Sequence, residues 1–210
     1  MTRNRSSLIF EDWGATAVLS GHDHIYERIL RDDNGDNIDL PYFVTGLGGN
    51  PSIYNFSSTL VEGSSAQYNS AHGAVIVDAT SDTISFAFHS IENGGTQIDS
   101  YSIEQGTIGN DVLTGSLVDE QIDGKEGDDQ ISGAGGTDRL IGGIGDDLFI
   151  FTQGSENDTI ADFTAGANTD DVVDLSDFVN VSTLADVHYT LNDLLHGFSG
   201  RWATSQRPGP

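Results

Sequence analysis

The chain has 210 residues, with 33 Asp plus Glu, eight Lys plus Arg, no Cys and a formal net charge of −25. This charge argues against nucleic acid or an anionic membrane surface as a partner, because both would repel it. The lack of Cys excludes disulfides, thiolate metal sites and a Cys nucleophile. No apolar run exceeds four residues, which excludes a transmembrane helix, and no cleavable secretory signal is visible.

The first chemical signal along the chain is a pair of histidines after a predicted strand. The segment before residue 16 reads as the end of a helix, residues 16–19 as a strand, and Gly21-His22-Asp23-His24 as a loop. On a strand the two His side chains would face opposite ways, whereas on a loop they can converge on one metal cluster. Gly21 would let the backbone approach that cluster closely. Taken alone, an H-x-H pattern favours a surface or packing role.

The residues around this pair resemble a known motif. The sequence GHDHIYER is similar to the last motif of the calcineurin-like metallophosphoesterases, in its purple acid phosphatase form G-H-x-H-x-Y-E-R. Residues 40–50 are similar to the Y-x-V-x-G-x-G-G stretch that follows in that family. Predicted strands at 73–80, 82–90 and 98–103 look like its closing antiparallel strands. The resemblance covers roughly residues 5–104.

This resemblance implies that His22 and His24 each bind one of two adjacent metal ions, such as Fe, Zn or Mn. Such ions activate a bridging hydroxide for in-line attack on a phosphate ester. Tyr26, Glu27 and Arg28 are expected to support the loop, with a salt bridge at Glu27 or Arg28. The family's other motifs, D-x-H, G-D-x-x-D, G-N-H-D/E and a further His, lie upstream and are absent here. We therefore expect this chain to be the C-terminal part of a longer enzyme and catalytically incomplete alone.

Residues 106–150 form five consecutive nonapeptides, GTIGNDVLT, GSLVDEQID, GKEGDDQIS, GAGGTDRLI and GGIGDDLFI. Position one is always Gly. Position four is Gly in four repeats, namely Gly109, Gly127, Gly136 and Gly145, with Val118 in the second. Position six is always acidic: Asp111, Glu120, Asp129, Asp138 and Asp147. Position eight is always apolar: Leu113, Ile122, Ile131, Leu140 and Phe149.

This pattern predicts stacked turns that bind a hard cation. Gly at positions one and four allows positive φ and a tight turn whose carbonyls point inward. Carboxylate and carbonyl oxygens suit Ca²⁺ rather than zinc or copper. A single repeat buries almost nothing, so neighbouring repeats must stack. The alternative, a flexible Gly/Asp-rich linker, is disfavoured because linkers do not keep an apolar residue in phase.

The repeats resemble the haemolysin-type calcium-binding nonapeptides of the RTX family, G-G-x-G-x-D-x-U-x. In that family two nonapeptides make one turn of a right-handed parallel β-roll, which implies roughly two and a half turns here. By the resemblance, Asp111, Asp129 and Asp147 line one edge, and Glu120 and Asp138 line the other. Val118 and Glu120 depart from the pattern, so the second repeat is expected to be a weak calcium site or none.

Residues 149–178 alternate apolar positions with acidic turns and resemble the segment that follows the repeats in secreted RTX proteins. Its acids Asp158, Asp162, Asp174 and Asp177 either bind further Ca²⁺ or only form turns. In such proteins the extreme C-terminus carries an uncleaved type I secretion signal. The last residues here are basic and proline-bearing, and they do not read as a continuation of that segment.

The sequence therefore predicts a mainly β protein with some α structure. A partial α/β metallophosphoesterase sandwich occupies 1–104, a right-handed parallel β-roll 105–152, a capping and secretion segment 153–196, and a tail 197–210. The expected protein is part of an extracellular, calcium-binding phosphoesterase exported by the type I secretion machinery. The alternatives are a non-enzymatic extracellular calcium-binding or adhesion module, and an inactive fragment.

Overall fold

The computed structural model describes residues 10, 13–32, 35, 38–49, 51–57, 59–164, 171–178 and 201–203. They divide into two compact units, the first up to Asp78 together with Ser85–Tyr101, the second Ala79–Ile84 together with the residues from Ser102 onwards. Strands dominate both units, and helical structure in the described residues is limited to one 3₁₀ turn, Glu92–Gly94. No helix in these ranges has the length and apolar character needed to cross a membrane. The mainly β prediction is confirmed, and the predicted N-terminal helix lies largely outside the described residues.

The first unit contains a four-stranded sheet in the order β1-β3-β2-β4. Its strands are β1 Val18–Ser20, β2 Tyr26–Arg31, β3 Leu40–Thr45 and β4 Ser64–Tyr68. Strand β1 pairs with β3 in parallel, and β2 pairs antiparallel with both β3 and β4. Strand β2 was not predicted from the sequence. Its buried side chains include Glu27 and Arg28, and charged residues at buried positions remove the hydrophobic alternation by which a strand is predicted.

Three further strands, β5 Gly73–Ala79, β6 Thr83–Ser90 and β7 Gln97–Gln105, lie side by side in the order β7-β6-β5. Their connections are too short for a parallel crossover, so neighbouring strands run antiparallel. Their positions match the predicted strands within two residues. Aromatic pairs fill the core of the first unit: Tyr26 stacks on Phe88 at 4.0 Å, and Phe43 on Phe86 at 4.4 Å, between ring centroids.

The second unit is a parallel β-solenoid of about three turns. One sheet holds β8 Val112–Thr114, β10 Gln130–Ser132, β12 Leu148–Ile150, β14 Val172–Asp174 and β15 Arg201–Ala203. The other holds β9 Asp119–Asp123, β11 Arg139–Ile141 and β13 Thr159–Ile160, with the end of β7 beside β9. Ile131 is in register with Leu113 and Phe149, which puts two nonapeptides in each turn. This solenoid is consistent with the predicted β-roll.

The core of the solenoid consists of the position-eight residues of all five repeats. Ile122, Ile131, Leu140 and Phe149 are fully buried, and Leu113 is nearly so. Phe151, Ile160 and Phe163 from the segment after the repeats pack against this cluster. One apolar residue per repeat, taken from the two sheets in turn, therefore forms the core inside the turns, as the repeat period predicts.

Candidate metal sites

The position-six acids form two columns along the solenoid. In the first column, Asp129 Oδ1 accepts a hydrogen bond from the Asp111 amide at 2.8 Å, and Asp147 Oδ1 accepts one from the Asp129 amide at 2.9 Å. Asp171 Oδ1 extends the column by accepting from the Asp147 amide at 3.0 Å. Each carboxylate thus holds the backbone of the preceding turn through one oxygen. We call Asp111, Asp129, Asp147 and Asp171 the first column.

The second column consists of Glu120, Asp138 and Asp158. Asp138 Oδ1 accepts from the Glu120 amide at 2.9 Å, and Asp158 Oδ1 accepts from the Asp138 amide at 3.1 Å. The sequence does not decide the role of Asp158 and gives no prediction for Asp171, because both residues lie beyond the nine-residue period. Their signal is an acid two residues before an apolar residue that is at least partly buried, as in Asp158-Thr159-Ile160 and Asp171-Val172-Val173, which repeats positions six to eight.

The second oxygen of four carboxylates has no hydrogen-bond partner. Within the described residues, Oδ2 of Asp129, Asp138, Asp147 and Asp158 is buried and unpartnered. Asp129, Asp138 and Asp147 are at most 2% exposed. A buried carboxylate without a partner is strongly unfavourable, so these atoms require either a proton or a cation.

Position-one glycines let these carboxylates lie close against the backbone. A Cβ added to Gly124 would lie 2.3 Å from Asp129 Oδ2 and 2.6 Å from the Gly142 carbonyl oxygen. The same addition to Gly142 would meet Asp147 Oδ2 at 2.2 Å, and to Gly133 would meet Asp138 Oδ2 at 2.1 Å. The space next to Asp129 is therefore lined by both carboxylate and carbonyl oxygen, the donor set that Ca²⁺ prefers.

Glycine is needed at positions one and four of the repeat for different physical reasons. Gly127, Gly136 and Gly145 at position four have φ of 121°, 119° and 156°, as the sequence predicts. The position-one glycines do not have positive φ, so the expectation of a left-handed backbone there is wrong. Gly is needed at position one because a side chain would fill the space of the carboxylate. Gly109 also lacks positive φ, and a Cβ there would meet no atom closer than 3.9 Å.

The electrostatics of the columns favour neutralisation of the acids. The pKa of Asp138 is raised to about 7, mainly by burial and also by the neighbouring Asp158 and Glu120 carboxylates, while the hydrogen bond from the Glu120 amide lowers it. Burial also raises the pKa of Asp147 to about 6, with contributions from Asp171 and Asp129. The pKa values of Asp129 and Asp158 are raised for the same first reason, burial. At neutral pH the ionised carboxylates of both columns are therefore energetically unfavourable unless a bound cation neutralises their charge.

The other acids singled out after the repeats hold backbone turns. Asp162 accepts from the Gly142 and Gly143 amides at 3.0 and 2.8 Å. Asp177 Oδ2 accepts from the Gln153 amide at 3.1 Å, and Asp174 Oδ1 accepts from the Ser176 amide at 2.8 Å. Of the four acids considered for this segment, Asp158 is the one with a buried unpartnered oxygen.

In the first unit, His22 and His24 lie on the loop after β1. His24 Nδ1 lies 2.6 Å from the Ser52 carbonyl oxygen, and its ring stacks on Tyr54 with 4.3 Å between centroids. Because a carbonyl only accepts, Nδ1 carries the proton and the Nε2 lone pair is left for a ligand. His22 has a left-handed backbone with φ of 80°. In the described parts, no group of three or more His, Cys, Asp or Glu side chains is placed to hold a metal.

The residues next to this loop form a buried polar network. Arg28 donates to both oxygens of Asp99 at 3.0 Å each, and Tyr26 donates to Asp99 Oδ2 at 2.6 Å. Burial raises the pKa of the Tyr26 phenol, and the Asp99 carboxylate raises it further. Glu27 Oε1 accepts from Ser64 Oγ and Gln67 Nε2, both at 2.7 Å. Tyr26 and Arg28 thus connect β2 to β7, and Glu27 connects it to β4.

The glycine that packs closely against the His loop is Gly46 rather than Gly21. A Cβ added to Gly21 would meet nothing within 4 Å, whereas one added to Gly46 would lie 1.8 Å from the Asp23 carbonyl oxygen. Gly46 belongs to the segment that resembled the stretch after the His motif, but the sequence did not indicate this contact.

Comparison with known proteins adds no relative, since no protein-family model, curated protein or solved structure matches the chain.

Proposed function

We propose that residues 106–178 are a calcium-dependent folding module. The observation that carries this proposal is the set of four buried, unpartnered carboxylate oxygens on Asp129, Asp138, Asp147 and Asp158. Their surroundings offer carboxylate and carbonyl oxygens, and the chain has no Cys. Such a donor set favours Ca²⁺ over zinc or copper. Mg²⁺ fits less well because it demands near-octahedral geometry and keeps its waters.

Calcium binding would be coupled to folding of the module. A net charge of −25 opposes compaction, and the columns bring acids from successive turns into contact with one another. The ion would supply the missing partner of each buried oxygen, so its binding free energy adds to that of folding. A module of this kind stays expanded in a low-calcium cytosol and folds outside the cell. This supports an extracellular protein exported through type I secretion machinery.

Removing calcium is expected to unfold the later turns of the solenoid while the first unit persists. Ca²⁺ at 100 times its Kd stabilises a folded site by about 2.7 kcal/mol, and chelation removes that stabilisation. Hydrogen exchange followed by mass spectrometry in calcium and in chelator measures the effect. We expect amides of β10, β11 and β12 to lose protection in chelator, and amides of β2 and β3 to keep it. Equal protection of β10–β12 in both buffers would contradict the proposal.

We further propose that the first unit is the C-terminal part of a metal-dependent phosphoesterase. Support comes from His24, whose Nδ1 is held by the Ser52 carbonyl and whose Nε2 is left for a ligand. A cavity of about 270 Å³, lined in part by Glu27 and Tyr54, adjoins this loop. Metal ions such as Fe, Zn or Mn, when bound, would supply the nucleophile for a phosphate ester. Two imidazoles do not hold a dinuclear centre, so this chain contributes only part of the site.

This chain alone is therefore expected not to hydrolyse p-nitrophenyl phosphate with added Mn²⁺, Fe³⁺ or Zn²⁺. Joined to an upstream segment encoding the D-x-H and G-N-H-D/E motifs, it should become active. His24→Ala should then lower turnover by roughly 100-fold or more, because it removes a metal ligand.

Turnover by the chain alone that His22→Ala abolishes would show that its site is complete. An upstream reading frame without those motifs would favour the non-enzymatic calcium-binding or adhesion module.

A further inference from the structure

Both ends of the first column and the Glu120 end of the second are carboxylates whose outer oxygens already have protein donors. Asp111 Oδ2 accepts from the Thr107 amide at 2.7 Å and from Thr107 Oγ1 at 2.9 Å. Glu120 accepts from the Ser116 amide, at 3.1 Å to Oε1 and 3.0 Å to Oε2, and from the Ser116 hydroxyl. Asp171 Oδ2, at the far end of the first column, accepts from the Thr164 amide at 2.6 Å. These acids therefore differ from the four with unpartnered oxygens.

Within the five repeats, the residue at position two decides which carboxylates have such donors. In the first two repeats it is Thr107 and Ser116, whose amide and hydroxyl both point at the position-six acid. In the last three repeats it is Lys125, Ala134 and Gly143, with φ of 80°, 66° and 95°. The left-handed backbone aims the amide elsewhere, as at Lys125, whose amide donates to Asp123 at 3.1 Å. No hydroxyl is present at these three positions to replace it.

We propose that these hydroxyl and amide caps confine cation binding to two sites, one between Asp129 and Asp147 and one between Asp138 and Asp158. This inference rests on the proposed calcium module and adds to it where the ions bind and where they do not. Asp111, Glu120 and Asp171 are then structural carboxylates that hold no ion.

One ion for each pair follows from distance and charge. Adjacent strands of a sheet lie about 4.8 Å apart, so oxygens from successive turns are within reach of one ion. Two carboxylates carry the charge that a single Ca²⁺ neutralises, whereas two Ca²⁺ ions at that spacing would repel each other. In the first column the Gly142 carbonyl lies beside the same space as Asp129 Oδ2 and supplies a further oxygen ligand.

The caps also make the first turn of the solenoid independent of metal. Strands β8 and β9 belong to the two repeats whose position-six acids, Asp111 and Glu120, keep hydrogen-bond partners without an ion. This turn presents two ordered strand edges on which the calcium-dependent turns stack. In a solenoid, order propagates from one turn to its neighbour, so the capped turn is the template and calcium completes the rest.

The test is a matched pair of substitutions in one column, Asp111→Asn and Asp147→Asn. Calcium titration of the full chain by calorimetry and equilibrium dialysis should give two ions per wild-type chain. Asp111→Asn should also bind two ions, with Kd changed by less than about 2-fold. Asp147→Asn should lose one site, or weaken it roughly 100-fold, because a charged ligand is removed. Glu120→Gln and Asp138→Asn form the equivalent pair in the other column.

The outcomes separate this inference from the proposed function. No uptake by the wild-type chain would overturn the calcium module itself. Two-ion uptake by the wild type, with equal losses in Asp111→Asn and Asp147→Asn, would overturn only the caps, as would uptake of more than two ions.

Hydrogen exchange in chelator gives a test that does not depend on any variant. Amides of β8 and β9 should remain more protected than amides of β12 in the wild-type chain. Equal loss of protection in all three strands would overturn the metal-independent first turn.

Discussion

Replacing Leu140 by Ala is expected to lower the free energy of unfolding of the solenoid by about 2–5 kcal/mol. Leu140 is fully buried in the core cluster of position-eight residues. Each turn contributes only one such residue from each sheet, so the remaining side chains have little freedom to fill the cavity. Urea unfolding in saturating calcium, followed by circular dichroism, measures the change, and hydrogen exchange assigns it to the second unit.

Leu117→Ala is the matched control for this prediction. Leu117 occupies position three of the second repeat and is 87% exposed. The same Leu-to-Ala change there removes little buried surface and should alter stability by no more than about 0.5 kcal/mol. A similar decrease in the free energy of unfolding in both variants would mean that the position-eight residues are not the core of the solenoid.

Gly124→Ala is expected both to destabilise the solenoid, by about 1–3 kcal/mol, and to disrupt calcium binding in the first column. The added Cβ would lie 2.6 Å from the Gly142 carbonyl oxygen, which is backbone and cannot rotate away. It would also lie 2.3 Å from Asp129 Oδ2, so this carboxylate must move away from the position in which it is proposed to bind the ion. Urea unfolding and calcium titration of the same sample measure the two effects.

Gly109→Ala provides the comparison, because it makes the same chemical change in a position-four glycine without positive φ. Its nearest contact for an added Cβ is Thr107 Oγ1 at 3.9 Å. We expect stability within about 0.5 kcal/mol of wild type and unchanged calcium uptake. If Gly124→Ala bound calcium as the wild type does, the space beside Asp129 would not be the ion site.

The nine-residue period made the second unit predictable in advance. A local rule that repeats five times places the apolar residue of each repeat in the same environment, so the core positions, from Leu113 to Phe149, could be read directly. The two acid columns follow from the same rule, since residues 18 apart lie on successive turns. Where the period breaks after residue 150, Asp171 was missed although it continues the first column.

The first unit was less predictable because its stabilising contacts join distant residues of mixed character. Arg28 and Asp99, 71 residues apart, form a buried ion pair that no local pattern indicates. Strand β4, with the sequence SSAQY, has little hydrophobic alternation and was not predicted. The metal-binding roles of His22 and His24 remain predictions that depend on the motif resemblance and on the orientation of His24.

The sequence alone determined the strand spacing, the core residues at position eight and the order of acids along each edge, because each of these depends only on the repeat period. Only the tertiary structure decided which carboxylate oxygens lack partners. That outcome depends on where the position-two amide of each repeat points. The Thr107 and Ser116 amides donate to the position-six acid of their own repeat, whereas the Lys125 amide donates to Asp123.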